Sequence, residues 1–408
     1  MSTANLHRPA NRGWSLLGPA FVAAIAYVDP GNIAANVSAG VKFGFLLVWV
    51  IVAANAMAGL VQYLSAKLGL VTGRTLPEAV RDRTSTPGRI AYWLQAELVA
   101  IATDVAEIIG GAIALRLLFG LPLVLGGVIT GLVSLVLLTL GDRRGQRVFE
   151  RVITGLLLVI AIGFLASLVV NPPPAAAVAD GLIPRFDGVD SVLLATAMLG
   201  ATVMPHAVYL HSALARDRHG HPEAGAGRAR LLRATRWDVG IAMLVAGSVN
   251  LALLLVAANN LRGRDATDTI EGAHAAVGAA LGPTVALFFA VGLLASGLAS
   301  TSVGAYAGAI IMQGLLRRTY PVLVRRLVTL VPALAVLASG VDPTRALVLS
   351  QVVLSFGIPF ALVPLVRLTG DRTVMGSDAN SRLTTTLAWS VTALITLLNA
   401  TLIWLITR

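Results

Sequence analysis

Along the chain, apolar stretches of twenty or more residues alternate with short polar ones. A hydrocarbon core of about 30 Å needs about 20 apolar residues per helical crossing. Such stretches fall near residues 15–40, 43–66, 90–119, 121–140, 152–171, 191–215, 237–259, 283–314, 323–340, 344–366 and 384–406. The pattern predicts an all-α integral membrane protein of about eleven transmembrane helices. No stretch reads as a separate soluble unit, so residues 1–408 are expected to form a single transmembrane domain. The N-terminal apolar run offers no convincing cleavage site, and it is read as a first span rather than a signal peptide.

Two of these spans are interrupted at mid-depth. The first carries Tyr27-Val-Asp-Pro-Gly-Asn32, and the sixth carries Leu199-Gly-Ala-Thr-Val-Met-Pro-His206. Proline removes an amide donor and clashes with the preceding turn, and glycine tolerates unusual dihedrals, so both segments are expected to unwind. Unwound backbone at that depth is tolerated only where it lines a cavity or binds something. Breaks at matching positions of two halves point to an inverted-repeat transporter with its site at the midplane. The eleven spans then divide as one repeat over about 15–171, a second over about 191–366, and an extra helix at about 384–406. Five helices per repeat is an odd number, so the halves lie in opposite orientation.

Composition sharpens this picture: 56% of residues are hydrophobic and 12% charged, and the mean hydropathy is +0.81. The net charge of +11 has a topological explanation. With a cytoplasmic N-terminus, the outward loops hold only Lys42, Arg116, Arg185, Arg262, Arg264, Arg345 and Arg408, and the other 24 of the 31 basic residues face inward. That is the positive-inside bias, and it leaves no case for nucleic-acid binding. The expected location is the cell inner (plasma) membrane, with lipid as the surrounding partner and no obligate protein partner. Cysteine is absent, which removes thiolate metal sites and cysteine nucleophiles.

The breaks carry a particular chemistry. Asp29 supplies a charged oxygen, Asn32 an amide oxygen, the second break freed carbonyls such as that of Ala201, and Met204 a thioether. Neither broken segment holds Lys or Arg, so the set asks for a cation. The sulfur favours a softer transition metal over Mg²⁺ or Ca²⁺. Ionisable groups are costly in hydrocarbon and are functional candidates by default. Glu97, Asp104 and Glu107 fall within about 80° of one helix face at 100° per residue. They run from mid-helix toward the inner end, where Arg325 and Arg326 are expected partners. His206 and His211 follow the second break and either relay protons or hydrogen-bond to freed carbonyls. Gln62, Asn250, Asn259 and Asn399 are expected to hydrogen-bond between helices, and the Gly, Ala and Ser of helix 8 to allow close packing.

Three other functions suit these residues less well. A membrane-embedded metallohydrolase needs several imidazole or carboxylate ligands, and no HExxH or similar run exists. A sodium-coupled amino-acid symporter has similar broken helices but no reason to face an acid with a methionine. A passive channel does not call for two breaks enclosing one site. No enzyme activity and no cofactor are expected.

Asp-Pro-Gly-Asn in helix 1 with Met-Pro-His-Ala-Val-Tyr-Leu-His in helix 6 resembles the Nramp (natural resistance-associated macrophage protein) family of proton-coupled divalent metal transporters, in its bacterial manganese-transporting branch. The similarity extends to Ala96–Gly110 in helix 3, Leu293–Gly308 in helix 8 and Ser350–Leu365 in helix 10. It implies a LeuT-like fold built from helices 1–5 and 6–10, and import of Mn²⁺ or Fe²⁺ with protons. The implied metal ligands are Asp29, Asn32, the Ala201 carbonyl and Met204, with Gln351 joining in some conformations. The implied proton route runs from Asp29 through Glu107, Asp104 and Glu97 inward. Many members have Gln where this chain has Leu298, a departure with no assigned consequence.

Overall fold

The computed structural model describes residues 18–144, 171–263, 269–318 and 322–407, with scattered positions between 155 and 169. Among the described residues every regular element is helical. The first span is α1 (Pro19–Ile25), a 3₁₀ turn (Ala26–Val28) and α2 (Pro30–Phe43). Then come α3 (Val48–Thr72), the short α4 (Leu76–Arg81), α5 (Thr86–Phe119) and α6 (Leu123–Arg144). The predicted span at 152–171 lies largely outside the described residues.

After the short α7 (Ala175–Asp180), the sixth span divides into α8 (Gly188–Thr202) and α9 (Pro205–His219). The chain continues through α10 (Ala226–Asn260), α11 (Ile270–Leu281), α12 (Pro283–Leu316) and α13 (Val322–Ala338). It ends with α14 (Pro343–Gly370), the single turn α15 (Arg372–Met375) and α16 (Arg382–Ile406).

Seven described spans are long and apolar enough to cross a membrane, α8 with α9 counting as one, and three shorter apolar helices cover Pro19–Val28, Leu123–Val136 and Leu327–Ala338. Predicted boundaries hold within a few residues except at two helices. The second span begins and ends about six residues later than expected. α10 starts at Ala226 rather than 237, because its Arg-rich first turns continue the helix beyond the apolar stretch. At about 1.5 Å per residue, the 34-residue α5 and α12 are about 51 Å long, so their ends leave the hydrocarbon.

α5 packs chiefly on α12, α14 and α6, whereas α10 packs on α2 and α3, and α14 also lies along α8. Large exposed apolar side chains, such as Leu94, Leu98, Leu383, Leu387 and Trp404, face where lipid would be. Between α3 and α5, α4 is capped by a Thr75–Glu78 capping box. It is tied to its surroundings by Leu76 N donating to Ser212 Oγ at 2.9 Å and Arg81 to the Gly314 carbonyl at 2.9 Å, and by the Arg216–Glu78 ion pair at 2.9 Å.

Candidate functional site

Both breaks are built the same way. In each, the residue before a proline is extended and the proline opens the second half-helix, where its missing N–H would have been an orphan anyway. Asp29 is extended (φ −73°, ψ 168°) before Pro30, and its side chain caps α2 by accepting from Asn32 N at 2.7 Å. At the other break α8 ends at Thr202, Val203 leaves the helix (φ −104°, ψ 58°), and Met204 (φ −63°, ψ 121°) precedes Pro205. The sequence expectation that proline unwinds these segments holds in a specific form: the unwound stretch, Asp29 in the first break and Val203 with Met204 in the second, ends at the proline.

The two breaks meet. Asn32 Nδ2 donates to Asp29 Oδ1 at 3.0 Å and to the Ala201 carbonyl at 2.7 Å, so one amide bridges the broken segments. Its Oδ1 accepts from Thr202 Oγ1 at 3.5 Å. Asp29, Asn32, Ala201 and Met204 are all fully buried. Asp29 Oδ2 has no hydrogen-bond partner among the described residues. A buried, unsatisfied polar atom of this kind costs about 1–3 kcal/mol, more for a charged group, and marks a place built for something else.

Gln351 lies against both breaks. A Cβ on Gly31 would sit 1.8 Å from Gln351 Nε2, and one on Gly200 would sit 1.9 Å from the Gln351 carbonyl. Gln351 Nε2 donates to Ser350 Oγ at 3.2 Å, and its Oε1 has no partner among the described residues. Close approach also brings Glu107 of α5 near. Gly110 of α5 sits on Pro30, leaving no room for a Cβ, and Glu107, one turn away, lies against Gly304 of α12. Asp104 and Glu107 are buried and Glu97 is half-buried. Arg325 and Arg326 belong to α13, and their side chains lie outside the described residues.

The two histidines have separate surroundings, and neither ring bonds to a carbonyl freed by the breaks. His206 Nδ1 contacts Thr103 Oγ1 at 3.4 Å and is close enough to Asp104 to interact with it electrostatically. His211 Nδ1 pairs with Gln62 Oε1 at 2.7 Å, and Gln62 Nε2 reaches the Tyr27 hydroxyl. Asn250 Nδ2 donates to the Tyr27 carbonyl at 2.7 Å, and Asn399 and Ser355 exchange two hydrogen bonds between α16 and α14. Asn259 Nδ2 donates to the Asn171 carbonyl at 3.4 Å. Sequence reasoning did not find Thr202, Ser296 or Tyr27, whose roles depend on partners far away in the chain.

The family model for natural resistance-associated macrophage protein-like chains matches residues 20–405. The chain belongs to the Nramp family. It is therefore a membrane transporter and not an enzyme. This Nramp chain is 71% identical over 392 residues to the divalent metal cation transporter MntH of Mycobacterium tuberculosis, covering 96% of this chain and 92% of that one. Its structure resembles that of a variant of the Eremococcus coleocola manganese transporter, with a TM-score of 0.85 at 32% identity, covering 98% of this chain and 88% of that one. A nucleobase-cation-symport-1 transporter, Mhp1, shares the fold at a TM-score of 0.59 and 17% identity, over 98% of this chain and 96% of that one. The Nramp chain thus has the LeuT-like fold.

Proposed function

We propose that this transporter imports divalent transition metal ions, Mn²⁺ or Fe²⁺, into the cytoplasm together with protons. The observation that carries the reading is the buried, unpartnered Oδ2 of Asp29 at the crossing of two broken helices. One carboxylate with amide, carbonyl and thioether donors suits a divalent ion of intermediate softness. Asn32 presents its NH₂ to Asp29 and Ala201. A half-turn of that amide exchanges the donor for an oxygen ligand without moving the backbone. Asp29, Asn32, the Ala201 carbonyl and Met204 then surround the ion, and Gln351, resting on Gly31, joins when α14 closes over the site. The names of the similar chains favour metal over amino acid as cargo.

Glu107, Asp104 and Glu97 carry protons inward along α5, with His206 facing Asp104, His211 behind the Tyr27–Gln62 pair, and Arg325 and Arg326 at the inner end of the route. The chain forms one transmembrane domain of two inverted five-helix repeats and an extra helix, set in the cell inner membrane with a cytoplasmic N-terminus. Uptake into proteoliposomes tests this reading. Mn²⁺ uptake should rise with an acidic exterior, exceed Ca²⁺ uptake, show no competition from amino acids, and collapse in Asp29→Ala. Near-normal uptake by Asp29→Ala at low metal would overturn the site.

A further inference from the structure

In an unbroken helix the carbonyl of Val28 would accept from the amide of Asn32, four residues on. That amide is engaged by Asp29 Oδ1 at 2.7 Å, so the carbonyl needs another donor. An unpaired carbonyl at this depth is destabilising, because no water is there to satisfy it. The donor comes from 268 residues away: Ser296, fully buried on α12, gives its hydroxyl hydrogen to Val28 O.

The neighbouring hydroxyls of α12 behave differently. Ser300 bonds to Ser296 O at 2.7 Å, Thr301 to Gly297 O, and Ser302 to Leu298 O at 3.0 Å, each within its own helix. Ser296 alone of these four reaches across to the break. The preceding carbonyl, Tyr27 O, is held by Asn250, whose own Oδ1 accepts from Asn36 on α2 at 3.1 Å. The two carbonyls before Asp29 are therefore clamped from two directions. α10 ties one to α2, and α12, the chief neighbour of α5, ties the other to the helix that bears Glu107.

We propose that Ser296 is a positioning residue of the metal site. It fixes the peptide preceding Asp29, aims the carboxylate toward Ala201 and Met204, and keeps the Val28 carbonyl out of the donor set. This rests on the metal-site reading above. Without the hydroxyl, Val28 O becomes an additional neutral oxygen beside Asp29, and a shell richer in oxygen suits Ca²⁺ better.

Mn²⁺ and Ca²⁺ uptake by Ser296→Ala, Ser296→Cys and Ser300→Ala in proteoliposomes tests the proposal, with amounts normalised to folded transporter by size-exclusion chromatography. Loss of one hydrogen bond to a buried carbonyl corresponds to about a fivefold effect. Ser296→Ala should raise the KM for Mn²⁺ by that factor, with maximal rate changed less than about twofold, and raise Ca²⁺ uptake relative to Mn²⁺. Ser296→Cys, similar in shape and a weaker donor, should fall between, and reads the same effect if the alanine variant does not fold. Ser300→Ala removes an equally buried hydroxyl bonded only to its own helix and should match the parent. Equal behaviour of Ser296→Ala and Ser300→Ala, or a fall in maximal rate at unchanged KM, overturns the proposal. If Asp29→Ala abolishes uptake while Ser296→Ala is silent, the positioning role fails alone. If Asp29→Ala transports normally, the site reading itself fails.

Discussion

A single sulfur atom sets this donor set apart from an all-oxygen cation site. Mn²⁺ lies near the hard end of the first-row series, so a thioether adds little to its binding. Met204→Ala should therefore weaken Mn²⁺ uptake only moderately, while the vacated position, filled by water or a carbonyl, admits Ca²⁺ or Mg²⁺. Competition among Cd²⁺, Mn²⁺ and Ca²⁺ decides this. Cd²⁺ preference should fall most, and an unchanged ratio would make Met204 a packing residue. Glu107 is a different case, because it lies one turn from the contact with Pro30 yet is not proposed as a ligand. Glu107→Gln should keep some metal uptake and lose its dependence on the proton gradient. Metal-driven proton entry that survives both Glu107→Gln and Asp104→Asn would return these acids to a structural role. At this scale Asp29, Asn32 and Met204 were legible as candidates because Asp, Asn and Met stand out in apolar chain, and the Ala201 carbonyl because it lies at a break. Ser296 and Thr202 were not, since a hydroxyl in a membrane helix commonly bonds its own backbone, as Ser300 does.

Helices converge on the breaks only because particular positions carry no side chain. Gly110 is one of them: a Cβ there would lie 2.1 Å from Pro30 Cβ, and the proline ring cannot swing aside. Gly110→Ala should overpack the contact at a cost of about 1–3 kcal/mol and push α5 away from the break, lowering both thermal stability and Mn²⁺ uptake. Gly240→Ala, also within a helix but with no atom within 4 Å of its Cβ, should be neutral or stabilising by up to about 1 kcal/mol. Thermal unfolding of the purified variants, followed by uptake, separates the two. Gly31 makes a softer contact with the end of the Gln351 side chain, which can rotate away. Helix 8 was read as a close-packing surface, and its Gly297 and Gly304 do lie against α5. That reading missed the hydroxyl that α12 sends to the first break.

For the whole molecule, the proposed orientation rests on the 24 basic residues assigned inward and the seven assigned outward. Because the chain contains no cysteine, single introduced cysteines report sidedness without background. Glu223→Cys, between α9 and α10, should react with a membrane-impermeant maleimide only from the cytoplasmic side. Arg262→Cys, after α10, should react only from outside. Labelling with the sides reversed would overturn both the topology and the direction of import.

Hydropathy, charge asymmetry and the two Pro-containing breaks were determined by the sequence alone, because each is a local property: apolar length, loop charge, or a missing amide. They were enough to place most of the spans and to nominate donors at the breaks. The tertiary structure decided which groups complete the site. Asn250 and Ser296 lie 223 and 268 residues from the carbonyls they hold, and Gln62 is joined to both Tyr27 and His211. Every broken carbonyl must find a donor inside the membrane, but many side chains along the chain could supply it. Only the packing of α10 and α12 against α1 selects which ones do.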